Sequence, residues 1–556
     1  MASRGTIAGG NAINDAAQKL KEDIFEIIKA ELKVKALKDT IWKEGMIYTK
    51  SGKKPKSALS FKEAVEKALQ AGINLSAYGW FKAPDVSWEE ETGKGDAYFT
   101  YVYGCQIAEV TVDSFTGKIS VDQVYAAHDV GQTINLLGAQ GQIYGGVVQG
   151  MGYACTEDFN ISAGEVLSDN FDTYLIPTIQ DIPKITPILI ENPDKAGPFG
   201  AKSLGEPTFE LISAAINNAL YNAMGVSSAA LPLSLEQVFL NHNLKKPERQ
   251  SMIACKTESS SSPSVISAKT VTPTTLKQAL KLLADGKHNI LAGGTDLMIK
   301  MRNSAETHQV VNIKPLSELQ YVSLENDTLQ IGSTTTFAEI IANPLVNTHF
   351  PVLASACSQI GSTQIRNIAT IGGNIVNAAP CADSIPPLIF YDAELSLSSA
   401  KGTRTIPMKD FIIKSYHTAI ESDEILTAVN IPLPQPPKSF SHYFQLGRRK
   451  ALNITRISIC ASLEFDQDKK ICNCRIVAGS LLEKPGRLPE LEEFIIGRWI
   501  DEKLYRDLKY RLNSILNPKI GKRWSASYKI PVFVNLVIAA MADFKKQYSE
   551  YKNDQA

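Results

Sequence analysis

Residues 241–269 read NHNLKKPERQSMIACKTESSSSPSVISAK, polar nearly throughout, with four consecutive serines at Ser259 to Ser262. Such a composition predicts a flexible linker over 243–268 rather than a packed element. No hydrophobic core can run through it along the sequence, so the 556-residue chain divides into stretches of about 240 and 290 residues. Either stretch is long enough to bury a sizeable core, and together they hold three or four domains.

The rest of the composition excludes several classes. Basic and acidic side chains balance at 58 each, which removes the basic surplus expected of a nucleic-acid binder. Hydrophobic residues at 44% and charged residues at 21% fit an ordinary soluble globular protein. The longest apolar candidate, Ile530 to Ala542, falls short of the ~20 residues of a membrane span and is broken by Asn535, so no membrane segment is expected. Eight scattered cysteines are too few for a disulfide scaffold, and the N-terminus shows no apolar signal core; both point to the cytoplasm. No cysteine cluster has zinc or iron–sulfur spacing. Cys472 and Cys474 flank one residue in a strand-like stretch and are expected on one face of it. There is no H-E-x-x-H, no G-x-G-x-x-G and no G-x-x-x-x-G-K-[ST], so any cofactor here uses another cradle.

Periodicity places elements on both sides of the linker, and the whole reads as a multidomain α+β chain. Ile13, Ala17, Leu20, Ile24 and Ile28 form a helical stripe, with Asn11 placed to cap it. Val110 and Val112, a turn from Asp113 to Gly117, then Ile119 and Val121 read as a hairpin. Glycines recur at 138, 141, 145, 146, 150 and 152, and Pro207 stands where a helix can begin. Beyond the linker, Pro273-Thr274-Thr275 opens a helix, and the short strand Ile290–Ala292 runs into Gly293-Gly294-Thr295-Asp296. From about Leu488 the chain is helical, with two long amphipathic patterns.

Two sites stand out. In LAGGTDL, Leu291 to Leu297, a strand ends in paired glycines whose bare backbone N–H groups can hold a diphosphate, although a tight strand-to-loop turn is the better account of such a stretch taken alone. About 80 residues later, RNIATIGGNI (366–375) repeats the paired glycines and is followed by APCAD (379–383), where Asp383 is able to accept hydrogen bonds from sugar hydroxyls. Two such loops fit one extended dinucleotide held at both ends.

These motifs, with RNIATIGGNIVNAAPCADSIPPL, LGRRKALNITR (446–456) and RWSASYK (523–529), closely resemble the flavin-binding part of the molybdenum hydroxylases, a family that includes xanthine dehydrogenase, aldehyde oxidase and carbon monoxide dehydrogenase. The resemblance implies a two-lobed FAD-binding domain of the vanillyl-alcohol-oxidase type over 269–438 and a C-terminal flavoprotein α+β domain over 439–548. It assigns FAD contacts to Ala292, Gly293, Gly294, Thr295, Asp296, Leu297, Ile360, Thr370, Gly372, Gly373, Asn374, Asp383 and Leu426. Many members carry a lysine before the arginine pair; Tyr443-Phe444-Gln445-Leu446-Gly447-Arg448 has none.

The first half resembles the C-terminal half of the same family's molybdopterin-binding domain, assigned here to 1–242, through HDVGQTINLLGAQGQIYGGVVQGMG (128–152) and KSLGEPTFELISAAINNAL (202–220). Close helix packing accounts for the glycine run taken alone, and a helix start accounts for Gly-Glu-Pro alone. The resemblance makes Glu206 the general base beside the molybdenum and brings Gln142, Ser3, Arg4 and Gly5 against the molybdopterin; no side chain binds the metal directly. Burial would raise the pKa of Glu206 and the helix starting at Pro207 would lower it.

Within this family the cofactor loop is preceded by the rest of the cradle, and single-chain members run iron–sulfur, flavin, molybdenum. The expectation is a subunit of a split molybdenum hydroxylase. One partner chain would complete the molybdopterin site and another would carry 2Fe-2S clusters that feed FAD and then NAD or another acceptor. The stretch 80–104 resembles xanthine dehydrogenase-type subunits and favours a purine or related N-heterocycle as substrate. The alternatives are an aldehyde or nicotinate substrate, or a flavin electron-transfer subunit whose first half is an assembly module.

Overall fold

A computed structural model describes residues 4–50, 58–241, 268–302, 307–434 and 440–554. The expected linker lies, over 243–267, outside the described residues, as does Ser3. Two compact units result. The first comprises Met1–Val110, Val121–Ala154 and Pro183–Gly225; the second comprises Thr111–Ser120, Cys155–Ile182 and Val226–Ala556.

In the first unit the apolar stripe forms the helix Gly10–Leu32, but Asn11 does not cap it. A π-helical turn, Gly5–Gly9, runs straight into the helix and leaves Asn11 inside it, where its side-chain amide donates to the Ala196 carbonyl at 2.8 Å. Only the far end of the stripe is core: Ile24, Ile28 and Leu32 pack with Ile47, Leu59, Ala64 and Ala68, whereas Ile13 is 73% exposed. The hairpin forms as strands Gly104–Asp113 and Lys118–Asp129, and the second of these pairs in parallel with Lys184–Ile190.

The glycine-dense stretch is one helix, Leu136–Cys155, and its glycines divide by role. A Cβ at Gly146 would lie 1.9 Å from Thr208 Oγ1, and one at Gly150 would lie 2.6 Å from the Phe209 carbonyl and 2.1 Å from Ile212. These two positions let the short helix Pro207–Glu210 and the helix Ile212–Met224 approach backbone to backbone. Gly141 and Gly145 face open space.

The second unit holds three main sheets. Asn289–Leu291, His308–Asn312 and Ala268–Val271 form a small parallel sheet with His308–Asn312 in the centre. An antiparallel sheet runs in the order Val322–Glu325, Thr328–Gly332, Ile425–Pro432, Glu394–Ser399, Gly402–Pro407. A third runs Phe440–Leu446, Ile457–Phe465, Ile471–Gly479, Gly486–Arg487, and the helices Glu502–Ile520 and Ala526–Asp554 pack with it in one core. Leu504, Leu508, Leu512 and Leu516 recur every four residues and bury one face of the first helix, whose start is capped by Asp501.

Two expectations change here. The segment Ala526–Glu550 is long and apolar enough to cross a membrane, against the reading of Ile530–Ala542 as too short; half of its most apolar stretch is buried, with Tyr528, Phe533 and Phe544 in the core. Cys472 is exposed and Cys474 buried, not alike. The pairing of Glu464 with Asn473 and of Phe465 with Ile471 makes Cys472 the extra residue of a β-bulge, which breaks the two-residue alternation.

The division of the glycines is testable. Gly150→Ala forces a backbone shift and is expected to cost about 1–3 kcal/mol of first-unit stability. Gly141→Ala, in open space on the same helix, is expected to gain about 0.5–1 kcal/mol. Thermal unfolding of the two variants beside the parent reads both; equal effects would mean that the close approach is not what holds these helices.

Candidate functional site

The second unit encloses a cavity of about 310 Å³, and both glycine loops line it. The strand Asn289–Leu291 delivers Ala292, Gly293, Gly294, Thr295, Asp296 and Leu297 to one wall. Thr370 and the helix Ile371–Asn377 deliver Gly372, Gly373 and Asn374 to another, with Ile360 and Leu426 completing the lining among the sequence-expected residues. A Cβ at Gly293 would sit 2.4 Å from the Ile368 carbonyl, one at Gly372 would sit 2.6 Å from the Ser333 carbonyl, and Gly294 holds φ +75°. Glycine is therefore required where the loops meet other backbone.

Side chains tie the loops together. Thr370 Oγ1 accepts from the Gly373 amide at 3.1 Å. Asn377 donates to Asp296 at 3.1 Å and accepts from Lys300 Nζ at 2.6 Å. Lys300 and Asn377 also line the cavity. Nothing in the sequence singled them out, because their pairing spans 77 residues and follows no local period.

Asp383 alone among the expected flavin contacts does not line the cavity; it is buried behind it. Its Oδ1 accepts from the Tyr443 hydroxyl at 2.6 Å, its Oδ2 accepts from Gln445 Nε2 at 2.9 Å, and the Thr455 hydroxyl lies 2.8 Å from both oxygens. The neighbouring Ser384 hydroxyl donates to Asn374 Oδ1 at 2.7 Å, so this buried cluster touches the cavity wall at one remove. Burial pushes the Asp383 carboxyl up to about 6, against the lowering effect of Tyr443, Thr455 and Gln445.

The first unit encloses a cavity of about 580 Å³ lined by Gly5, Thr6, Asn135, Gly138, Gln142, Lys202 and Gly205, among others. It thus gathers Gly5 and Gln142 from the expected set. Arg4 is exposed at the start of the π-helical turn and outside the lining. Glu206 is exposed immediately before the helix Pro207–Glu210, one residue from the lining residue Gly205. Lys202 was not foreseen. Its ammonium lies 2.7 Å from Asp129, with both side chains at 5% exposure or less. Burial pushes Asp129 up, but Lys202, the Gly131 amide and Asn192 outweigh it and hold the carboxyl below its ordinary value.

The Asp383 cluster carries a pH signature. Its folded pKa of about 6 lies above the ordinary 3.8, so the folded state holds the proton more tightly and gains stability as pH falls through 6 toward 4. The full effect is on the order of 3 kcal/mol. In thermal unfolding between pH 5 and 7.5, Asp383→Asn is expected to lose this component. Identical pH profiles for parent and variant would show that Asp383 is not held as a buried charge.

Comparison with known proteins places these cavities in context. Residues 1–183 match the molybdopterin cofactor-binding domain family, 266–434 the FAD binding domain in molybdopterin dehydrogenase, and 442–544 the CO dehydrogenase flavoprotein C-terminal domain. A putative xanthine dehydrogenase FAD-binding subunit of Escherichia coli K12 is 37% identical over 223 residues, which is 39% of this chain and 76% of the relative. A nicotinate dehydrogenase FAD-subunit of Eubacterium barkeri is 36% identical over 233 residues, 40% of this chain and 78% of the relative. A putative xanthine dehydrogenase molybdenum-binding subunit of Escherichia coli K12 is 30% identical over 248 residues, 44% of this chain but only 31% of the relative. The chain belongs to the molybdenum hydroxylase family of xanthine dehydrogenase and aldehyde oxidoreductase relatives, and it joins part of a molybdopterin-binding domain to an FAD-binding domain and a flavoprotein C-terminal domain.

Proposed function

We propose that this chain is a subunit of a cytoplasmic xanthine dehydrogenase-like molybdenum hydroxylase that oxidises a purine or related N-heterocycle. In this reading it holds FAD in the second-unit cavity and contributes one wall of a molybdopterin site in the first. The observation that carries the proposal is the meeting of two glycine loops, about 80 residues apart in sequence, at one cavity where a Cβ at Gly293 or Gly372 would strike backbone. Bare backbone of that kind suits a dinucleotide phosphate chain. The first-unit cavity also fits its group: Gln142 and Asn135 put polar side chains on its wall beside the glycine backbone of Gly5, Gly138 and Gly205, as an anionic pterin phosphate requires.

When bound, molybdopterin supplies the oxidising centre for hydroxylation with a water-derived oxygen, and FAD takes the electrons onward. The chain's own residues position these groups. Gly5 and Gln142 would lie against the pterin, Ala292–Leu297 and Thr370–Asn374 would hold the flavin phosphates and ribityl chain, and Ile360 and Leu426 would cover its apolar parts. Glu206 would take the proton released as substrate is hydroxylated. One partner chain completes the molybdopterin site and another supplies 2Fe-2S clusters, with NAD or another acceptor taking the electrons from FAD. Support for partners comes from relatives named as separate FAD-binding and molybdenum-binding subunits. Relatives named as xanthine and caffeine dehydrogenase subunits support the N-heterocycle.

The exposure of Glu206 favours a second reading, in which the chain transfers electrons through its flavin and the first unit serves assembly alone. One experiment separates the two. In the complex purified with its partners, Glu206→Gln is expected to lower hydroxylation at least a hundredfold while NADH–dye reduction stays within twofold. Hydroxylation at parental rate in this variant rules out the base assignment and leaves the electron-transfer reading.

A further inference from the structure

A chain of buried polar atoms in the first unit ends at the turn that carries Glu206. His128, at 1% exposure, stands on the strand Lys118–Asp129, and its Nε2 lies 2.9 Å from Gln106 Nε2 on the strand Gly104–Asp113. The same Gln106 nitrogen donates to the Thr208 carbonyl at 2.8 Å. A carbonyl only accepts, so the atom facing it is the amide nitrogen, and the imidazole Nε2 accepts that amide's second proton. His128 is therefore neutral with its proton on Nδ1, in keeping with burial, which pushes its pKa down. Nδ1 has no partner among the described residues and faces Gly104, where a Cβ would lie 2.9 Å away.

Thr208 is the receiving end of this pair and is wholly buried. Its hydroxyl sits between two carbonyls, 2.7 Å from that of Gly205 and 3.2 Å from that of Gln142. Gly205 and Gln142 both line the first-unit cavity, and Glu206 follows Gly205 in the turn. Two atoms of the network, His128 Nδ1 and Gln106 Oε1, are buried without a partner. Such atoms are costly, and apolar side chains would fill the same space without the cost. What the pair gains in return is a grip on the Thr208 carbonyl, 102 residues away from Gln106 in sequence.

We propose that Thr208, held by Gln106 and His128, is a positioning residue that fixes the Gly205–Glu206 turn relative to Gln142 on the wall of the first-unit cavity. Its place in the reaction rests on the reading of Glu206 as the general base. Thr208 itself does not line the cavity and acts through its two carbonyl neighbours. Misplacing a reacting group by about 1 Å costs on the order of a hundredfold in rate.

The test compares three variants in the complex purified with its partners: Thr208→Val, which keeps the shape and loses the hydroxyl, Thr208→Ser, which keeps the hydroxyl, and Gln106→Leu. Hydrogen–deuterium exchange of the peptide over 203–210 reads the turn independently of activity. Exchange there is expected to quicken at least fivefold in Thr208→Val and Gln106→Leu and to stay within twofold of the parent in Thr208→Ser. Parental exchange in Thr208→Val and Gln106→Leu overturns the proposal. Equal disturbance by Thr208→Val and Thr208→Ser overturns it as well, since the methyl group would then matter as much as the hydroxyl. The hydroxylation rate per molybdenum is expected to fall at least tenfold in Thr208→Val with KM within threefold, and to recover in Thr208→Ser. Glu206→Gln is measured beside them. Loss of hydroxylation in Glu206→Gln with a parental rate in Thr208→Val overturns the positioning role. A parental rate in Glu206→Gln removes the base assignment instead, and exchange over 203–210 then decides by itself whether Thr208 fixes the turn.

Discussion

The second unit is organised around one buried carboxylate. Asp383 sits where the flavin-side cavity wall, the strand Phe440–Leu446 and the loop before Ile457 converge, and three side chains donate to it. Removing a carboxylate from water is costly, and Tyr443, Gln445 and Thr455 offset part of that cost here. All three lie 60 to 72 residues further along the chain. The cluster therefore fixes the third sheet against the cavity wall as well as satisfying the charge. Tyr443 also joins the apolar core built mainly from residues 329–431, together with Cys460 and Val477, so polar and apolar contacts locate the same strand.

The first unit repeats the device with a different solution. Asp129 is buried next to its cavity as well, but a cation answers it: Lys202, itself on the cavity wall. The contrast decides the charge presented inward. Asp383 is satisfied by neutral donors and remains a buried negative group behind a wall of glycine backbone. Asp129 and Lys202 cancel, which leaves the wall of the first-unit cavity to Gln142, Asn135 and backbone. A buried ion pair is weak evidence for stability on its own account, since an apolar pair of equal volume often does as well. Its position on the wall gives a reason for keeping it, because it fixes the ammonium rather than leaving it to move in the cavity.

How far the sequence could be read follows from the range of each interaction. The hairpin at 104–129, the helix capped by Thr275 and the leucine face of Glu502–Ile520 are set by neighbours within a few residues, and periodicity and capping chemistry reveal them. The glycine loops at 293–294 and 372–373 were legible because close backbone approach leaves a residue-type signature. Asn11 reads as a cap in sequence because a π-helical turn has no such signature, and the exposure of Cys472 escapes a period-two reading because a one-residue bulge is invisible in composition. Asp383 was found but placed on the cavity wall, since its partners at 443, 445 and 455 are fixed only by the folded chain.

The linker at 243–268 was the sequence feature that divided the chain, yet the structural division does not follow it. Residues 111–120 are the tip of the hairpin, two strand ends and the turn between them, and the turn residues Thr116 and Phe115 bond to Tyr528 and Asn535. A hairpin tip has spare backbone carbonyls, and those of Phe115 and Thr116 are satisfied by side chains more than 400 residues away. The polar run divides the sequence, but the cores of the described residues divide elsewhere. The core of the second unit accordingly draws on residues from both sides of the linker, with Leu235 and Phe239 packed against the last sheet and its helices.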